Sequence, residues 1–204
     1  FWHSPAGLGL YASFILRGPG GGAVPSPHLV PLAAGLAAAD AVRETAAVET
    51  GLKWPNDVVF EGKKLGGILS EGVSGAPCGD FVVVGIGLNV NNGSSDFPEE
   101  LRASSTSVKL AGGRTVQVEA GFAALCRALD RWYNVLARGD KEAVARAFEA
   151  RPAFPRGAAV RVDTAGGVFE AEYRERDAQG RLGGARSGAG TVALDDVLKP
   201  ERTF

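Results

Sequence analysis

The stretch that most constrains this chain is Lys53-Trp54-Pro55-Asn56-Asp57, with the hairpin sequence that follows it from Val58 to Glu71. Pro55 fixes its own φ and pushes Trp54 out of the helical region, so no helix runs through here. A stiff corner results, and it carries two short polar side chains, Asn56 and Asp57. The run Val58-Val59-Phe60 predicts a strand, Glu61-Gly62 a tight turn, and Leu65 to Ser70 a returning strand. Side chains alternate between the two faces of a strand. That alternation groups Lys64, Gly66, Ile68 and Ser70 on one face and Leu65, Gly67, Leu69 and Glu71 on the other. Two adjacent glycines weaken a strand and mark a close approach to its backbone. Lys64 and a bare patch at Gly66 would together accept a flat ligand with an anionic end. The plainer alternative is an exposed hairpin with a solvated lysine and a bulge at Gly66-Gly67. The rigid polar corner beside it favours a site.

Charge is nearly balanced, 22 Lys and Arg against 23 Asp and Glu. No basic stripe is present, so neither nucleic acid nor an anionic membrane is an expected partner of this chain. The longest apolar run, Leu29 to Val42, is too short to span a bilayer and contains Pro31 and Asp40. Cys78 and Cys126 lack any CxxC spacing, which supports neither a disulfide framework nor a zinc site. No signal-peptide pattern is seen, and the cytoplasm is the default compartment. The chain has no Met and opens at Phe1-Trp2, at what reads as the entrance to a strand. It therefore reads as incomplete at its N-terminus.

Along the chain, Leu8 to Arg17 reads as a strand. Ser26-Pro27 reads as an N-cap and first helical position, followed by a stripe of Leu29, Leu32, Leu36, Ala39 and Val42, with Pro31 delaying the start. Phe81 to Val84 has the continuous apolar composition of a strand buried on both faces. Gly85-Ile86-Gly87-Leu88-Asn89 lacks the third glycine and the following helix of a dinucleotide turn. Its glycines read better as room for a ligand against a strand. Asn89 is then either an amide facing a ligand or a turn cap. Glu119 to Arg138 predicts an amphipathic helix with Phe122, Leu125, Leu129, Trp132 and Leu136 buried and Gly139 as its stop. A further helix spans Asp140 to Ala150. From Gly157 the period changes to that of short strands, at 158–162, 168–173 and 191–194.

The Lys53–Asp57 corner followed by Lys64-Leu65-Gly66-Gly67-Ile68-Leu69 resembles the signature of biotin–protein ligases. Trp2-His3-Ser4-Pro5 with Leu10-Tyr11-Ala12-Ser13, and Val84-Gly85-Ile86-Gly87-Leu88-Asn89-Val90, are similar to two further family segments in the same order. The resemblance implies an α+β fold. A mixed β-sheet catalytic domain flanked by helices would occupy 1–151, and a small SH3-like β-barrel 152–204. It also implies a Gly-Arg-rich ligand loop upstream of Phe1.

The activity so implied is ATP-dependent. Biotin becomes biotinyl-5'-AMP, and biotin is then passed to a lysine of a biotin carboxyl carrier domain. ATP, biotin and Mg²⁺ are the small molecules involved. By the same resemblance Lys64 neutralises charge at the acyl-phosphate, and Lys64, Gly66, Gly67, Ile68, Leu69 and Gly85 surround biotin. Trp2 and Asn89 contact adenine, Asn56 and Asp57 hold the phosphate–ribose region, and Asp57 also orients the incoming lysine. Lys199 reaches ATP from the small domain. No metal ligands are assigned, because the phosphates would hold Mg²⁺. A homodimer is a further implied partner. The alternatives are a bifunctional ligase and biotin-operon repressor, a lipoate–protein ligase-like acyltransferase, and a non-catalytic binding module.

Overall fold

The computed structural model describes residues 4–77, 79–154, 157–164, 167–176, 182–186 and 189–193. The chain forms two units, Phe1–Ala153 and Phe154–Phe204. In the first, five strands make one sheet: β1 (Gly9–Arg17), β2 (Gly51–Lys53), β3 (Asp57–Phe60), β4 (Lys63–Val73) and β5 (Phe81–Asn89), in the order β1-β5-β4-β3-β2. All four ladders are antiparallel, so the mixed sheet expected from the family resemblance is not what these strands form. The reason is local. The Pro-Asn corner, the Glu61-Gly62 turn and the loop after Val73 each reverse the chain, so β2 to β5 make a meander. Glu61 and Gly62 both have positive φ, 48° and 75°, as a two-residue hairpin turn requires.

Helices cover one face of this sheet: α1 (Val30–Ala46), the short α2 (Val108–Gly112), α3 (Val118–Ala137) and α4 (Lys141–Glu149). The core joins Leu10 of β1, Leu52 of β2, Val58 of β3, Leu65 and Ile68 of β4 and alternate residues of β5 to α1, α3 and α4. β5 alternates strictly: Val82, Val84, Ile86 and Leu88 are buried, while Phe81, Val83, Gly85 and Gly87 are half-open. It is an interior strand of the sheet, between β1 and β4, but buried on one face only, which corrects the two-faced burial expected for it.

α1 departs from the stripe expected of it. Nearly every residue from Leu32 to Val42 is buried, because α1 lies between the sheet and α3 and α4. Gly35 shows the squeeze: a methyl there would touch Leu52, Phe148 and Ile68. Small alanines let the layers close up around it. Ser26 provides no side-chain cap, and a 3₁₀ turn over Pro27–Leu29 precedes the helix instead.

One charge is buried in α1, Asp40, at 7% exposure. Its Oδ1 accepts from Arg151 Nη2 at 2.7 Å and Arg43 Nη2 at 3.3 Å. Its Oδ2 accepts from Arg131 Nη2 at 2.5 Å and Trp132 Nε1 at 2.9 Å. Burial alone would raise this carboxyl. The Trp132 hydrogen bond and the Arg151 and Arg131 charges outweigh burial and hold it below its ordinary value. Trp132 is thus packing and pinning, as its place in the helical stripe suggested. Phe122 instead stands 45% exposed, stacked on Phe14.

In the second unit four strands pair in order, all antiparallel: β6 (Ala159–Thr164), β7 (Gly167–Arg176), β8 (Leu182–Arg186) and β9 (Ala189–Ala193). β8 reads Leu-Gly-Gly-Ala-Arg and has no strand composition, so pairing with its neighbours makes it a strand. Among the described residues no helix is long and apolar enough to cross a membrane.

Candidate active site

The corner is locked from both ends of one residue. Asn56 donates Nδ2 to the Ile68 carbonyl at 2.8 Å, and the Ile68 N–H donates to the Asn56 carbonyl at 2.8 Å. These two bonds fasten the corner to β4 just before β3 begins. The Trp54–Pro55 peptide is cis. Asp57 follows as the first residue of β3 and lies opposite Gly67.

A bulge then decides which way Lys64 points. Val58 pairs with Gly66 but Val59 pairs with Lys64, so Leu65 is an extra residue in β4. An extra residue reverses the alternation beyond it. Leu65 and Ile68 therefore both enter the core, and Lys64 comes onto the face of Gly67 and Leu69. The grouping expected from strict alternation is corrected accordingly. Gly66 is not a bare patch beside Lys64. A methyl at Gly66 would collide with Leu88 Cδ2 and come within 2.7 Å of the Gly87 carbonyl oxygen. Its glycine makes room for the core, not for a ligand.

On the open face the lysine ammonium lies 2.6 Å from Asp57 Oδ1, with the two side chains 42% and 19% exposed. An ion pair this open contributes at most about 1 kcal/mol to stability. It presents a fixed cation and a fixed carboxylate side by side at the edge of a groove.

The groove is built from two rows across the sheet. Tyr11, Gly87, Gly67 and Asp57 are successive partners in one row, and Ser13, Gly85 and Leu69 in the next. Three glycines thus leave bare backbone between Tyr11 and Ser13 on one side and Leu69 and Lys64 on the other. The space is about 620 Å³, and Ser4 and Asn56 also line it. Leu69 is 62% exposed and Tyr11 41%, so the walls are apolar while Lys64 stands at one end. Such a mixture suits a ligand with an apolar body and an anionic end.

Of the site residues expected from sequence, the structure brings Asn56, Asp57, Lys64, Gly67, Leu69 and Gly85 together, with Ile68 contributing backbone. Asn89 lies elsewhere: it is 7% exposed, absent from the groove lining, and donates Nδ2 to the Thr106 carbonyl at 3.0 Å. Trp2 and Lys199 fall outside the described residues. Sequence reasoning missed Tyr11, Ser13 and Gly87 as groove residues. Gly85 and Gly87 two apart on one strand were the available signal, but the partners across β1 depend on register. Among the described residues no group of three or more His, Cys, Asp or Glu side chains could hold a metal ion.

The sequence model of the Biotin/lipoate A/B protein ligase family matches residues 1–91. The chain is 41% identical over 115 residues to the bifunctional ligase/repressor BirA of Bacillus subtilis, covering 56% of this chain and 35% of that protein. It is 38% identical over 159 residues to the biotin–[acetyl-CoA-carboxylase] ligase of Mycobacterium tuberculosis, covering 74% of this chain and 54% of that one. The chain thus spans between about a third and about half the length of these curated relatives. In fold it is similar to the biotin protein ligase from Aquifex aeolicus in complex with biotin and ATP. That likeness has a TM-score of 0.78 at 24% identity over 94% of this chain and 78% of the other. The match at its first 91 residues and the names of these relatives make the chain similar to the biotin/lipoate A/B protein ligase family, and the Aquifex aeolicus likeness is one of fold.

Proposed function

We propose that this chain carries the ligand-binding and adenylating part of an ATP-dependent biotin–protein ligase. The observation that carries the reading is the glycine-floored groove with Lys64 and Asp57 paired at its end. The ligase names of the relatives and the biotin and ATP named for the Aquifex aeolicus structure support it. In the first step a biotin carboxylate oxygen bonds to the α-phosphorus of ATP, the bond from that phosphorus to the bridging oxygen breaks, and pyrophosphate leaves. Two anions meet in this step, so a fixed cation is the main requirement. Lys64 supplies it at the groove end, while Gly67, Gly85 and Gly87 let the ring system lie against the sheet. Leu69 and Tyr11 flank its apolar part, and Asn56 holds the corner beside the phosphate–ribose region.

In the second step the amine of an acceptor lysine attacks the acyl carbon and AMP leaves. Asp57, 2.6 Å from Lys64, is placed to accept a hydrogen bond from an N–H of the arriving neutral amine and so aim its lone pair at the acyl carbon, and the proton that the nitrogen sheds as the amide forms passes to solvent. The acceptor this implies is a biotin carboxyl carrier domain, in keeping with the acetyl-CoA-carboxylase ligase name of one relative. Magnesium would arrive with the nucleotide phosphates, and no step is routed through a protein-held metal. We assign catalysis to residues 1–151 and read the strands within 152–204 as the small SH3-like domain.

Pyrophosphate–ATP exchange, with biotin and lipoate run side by side, tests the reading without the acceptor. Exchange with biotin alone is expected. Exchange with lipoate alone would establish the lipoate reading that the family's own description also covers. Exchange with neither acid, repeated with the upstream Gly-Arg-rich loop restored and still silent, would leave a binding module.

A further inference from the structure

The open face of the sheet changes row by row away from Lys64. In the row of Asp57 both inner strands are bare, with Gly67 on β4 and Gly87 on β5. One row on, Gly85 is bare but its β4 partner is Leu69. In the next row neither is bare: Val83 stands between Ile15 on β1 and Glu71 on β4. The glycine floor thus narrows from two strands to one to none. Val83 does here what a valine at position 85 would do one row earlier, raising two branches where backbone lay bare. The groove accordingly ends at Ser13, Gly85 and Leu69, one row short of Val83. Ile15 is 62% exposed, so its side chain stands clear of the sheet beside Val83. The row behind is filled as well, since the Arg17 guanidinium lies 5.7 Å from the centre of the Phe81 ring. Four residues of β4 separate the Asp57 row from the Val83 row, about 14 Å of strand.

We propose that Val83, with Ile15 beside it, is the end wall of the groove and sets the length of the acid that this chain activates. The proposal rests on the ligase reading, which places the acid's carboxylate at Lys64. With that end held, each methylene added to the chain drives the ring system out of the hollow and onto the row of Val83. A β-branched side chain is stiff at χ1, and both of its cross-strand neighbours carry side chains, so Val83 cannot swing aside. Val83 is thereby a specificity-determining residue that acts at the far end of the ligand from the reacting atoms. In a closed apolar pocket, one methylene too many costs about 10- to 200-fold.

The test measures, by calorimetry, the binding of biotin and of its homologues with one methylene more and one fewer in the chain. It uses the 204-residue chain, or that chain with the upstream Gly-Arg-rich loop restored where that is the form that exchanges pyrophosphate. Wild type should bind the longer homologue at least about tenfold more weakly than biotin. Val83→Ala removes both branches and should bring the longer homologue within about threefold of biotin, while the shorter one keeps its wild-type ratio to biotin. Val83→Thr keeps the branched shape and should keep all the wild-type ratios, which ties the effect to volume. Ile15→Ala, on the outer strand, should shift the longer homologue the same way and carries the test alone where Val83→Ala does not fold. An unchanged ratio of longer homologue to biotin in the folded alanine variants overturns the proposal. So does an equal gain for the shorter and longer homologues, the mark of a groove loosened throughout. If neither form of the wild-type chain binds any of the three acids, the ligase reading falls, and the end wall with it.

Discussion

Two glycines on neighbouring strands have opposite reasons for lacking a side chain. At Gly85 a methyl would meet only Leu69, at an ordinary 3.8 Å, and would project over the groove. At Gly66 it would strike Leu88 and the Gly87 carbonyl. Gly66→Ala should therefore destabilise the fold by about 2 kcal/mol, seen in urea unfolding, because the core has no space to yield. Gly85→Val should melt close to wild type and yet weaken biotin binding at least about tenfold by calorimetry, since its branches occupy the ligand's place. Unweakened binding in a folded Gly85→Val would move the ligand off this face. Lys64→Ala should abolish biotin-dependent pyrophosphate exchange with the melting temperature within about 4 °C of wild type, as loss of an open ion pair allows. The sequence marked Gly66, Gly67, Gly85 and Lys64 as a set. It did not separate Gly66 from the others, because that depends on a bulge set by the partner strand.

At the scale of elements, α1 and its carboxylate tie the helical layer together. Asp40 collects hydrogen bonds from α1 itself, from α3 through Arg131 and Trp132, and from Arg151 just after α4. Asp40→Ala leaves the partly buried Arg151 without its carboxylate and should destabilise by about 3 kcal/mol. The pH dependence follows from the lowered carboxyl. Its contribution is complete above the unfolded value, about 3.9, and is lost as pH falls through the lower folded value. Wild type should therefore lose melting temperature more steeply than Asp40→Asn on acidification below about pH 4. Equal slopes would show that Asp40 is not held in its charged form by the fold. α3 and α4 were legible from periodicity and from the Gly139 stop, because each shows one polar face to water. α1 was legible as a helix but not as a buried one. Its alanines fit either role, and the layer above it comes from residues about a hundred positions away.

For the molecule as a whole, the described core from Leu10 to Phe148 lies inside the first unit. Residues 1–153 produced alone should thus unfold in one cooperative step, with circular dichroism and tryptophan fluorescence tracing the same urea curve. Separate curves would show that this core is not self-sufficient. By itself the sequence determined the corner, the hairpin, the long helices and the change of period after Gly157. Each of these follows from φ restrictions, turn residues and hydrophobic spacing acting within a few residues. Only the tertiary structure decided the direction of Lys64, its pairing with Asp57, the join of Tyr11 and Ser13 to the glycine floor, and the burial of Asn89 against Thr106. Those depend on register and on contacts between segments distant in sequence, and no local propensity encodes the contact between two such segments.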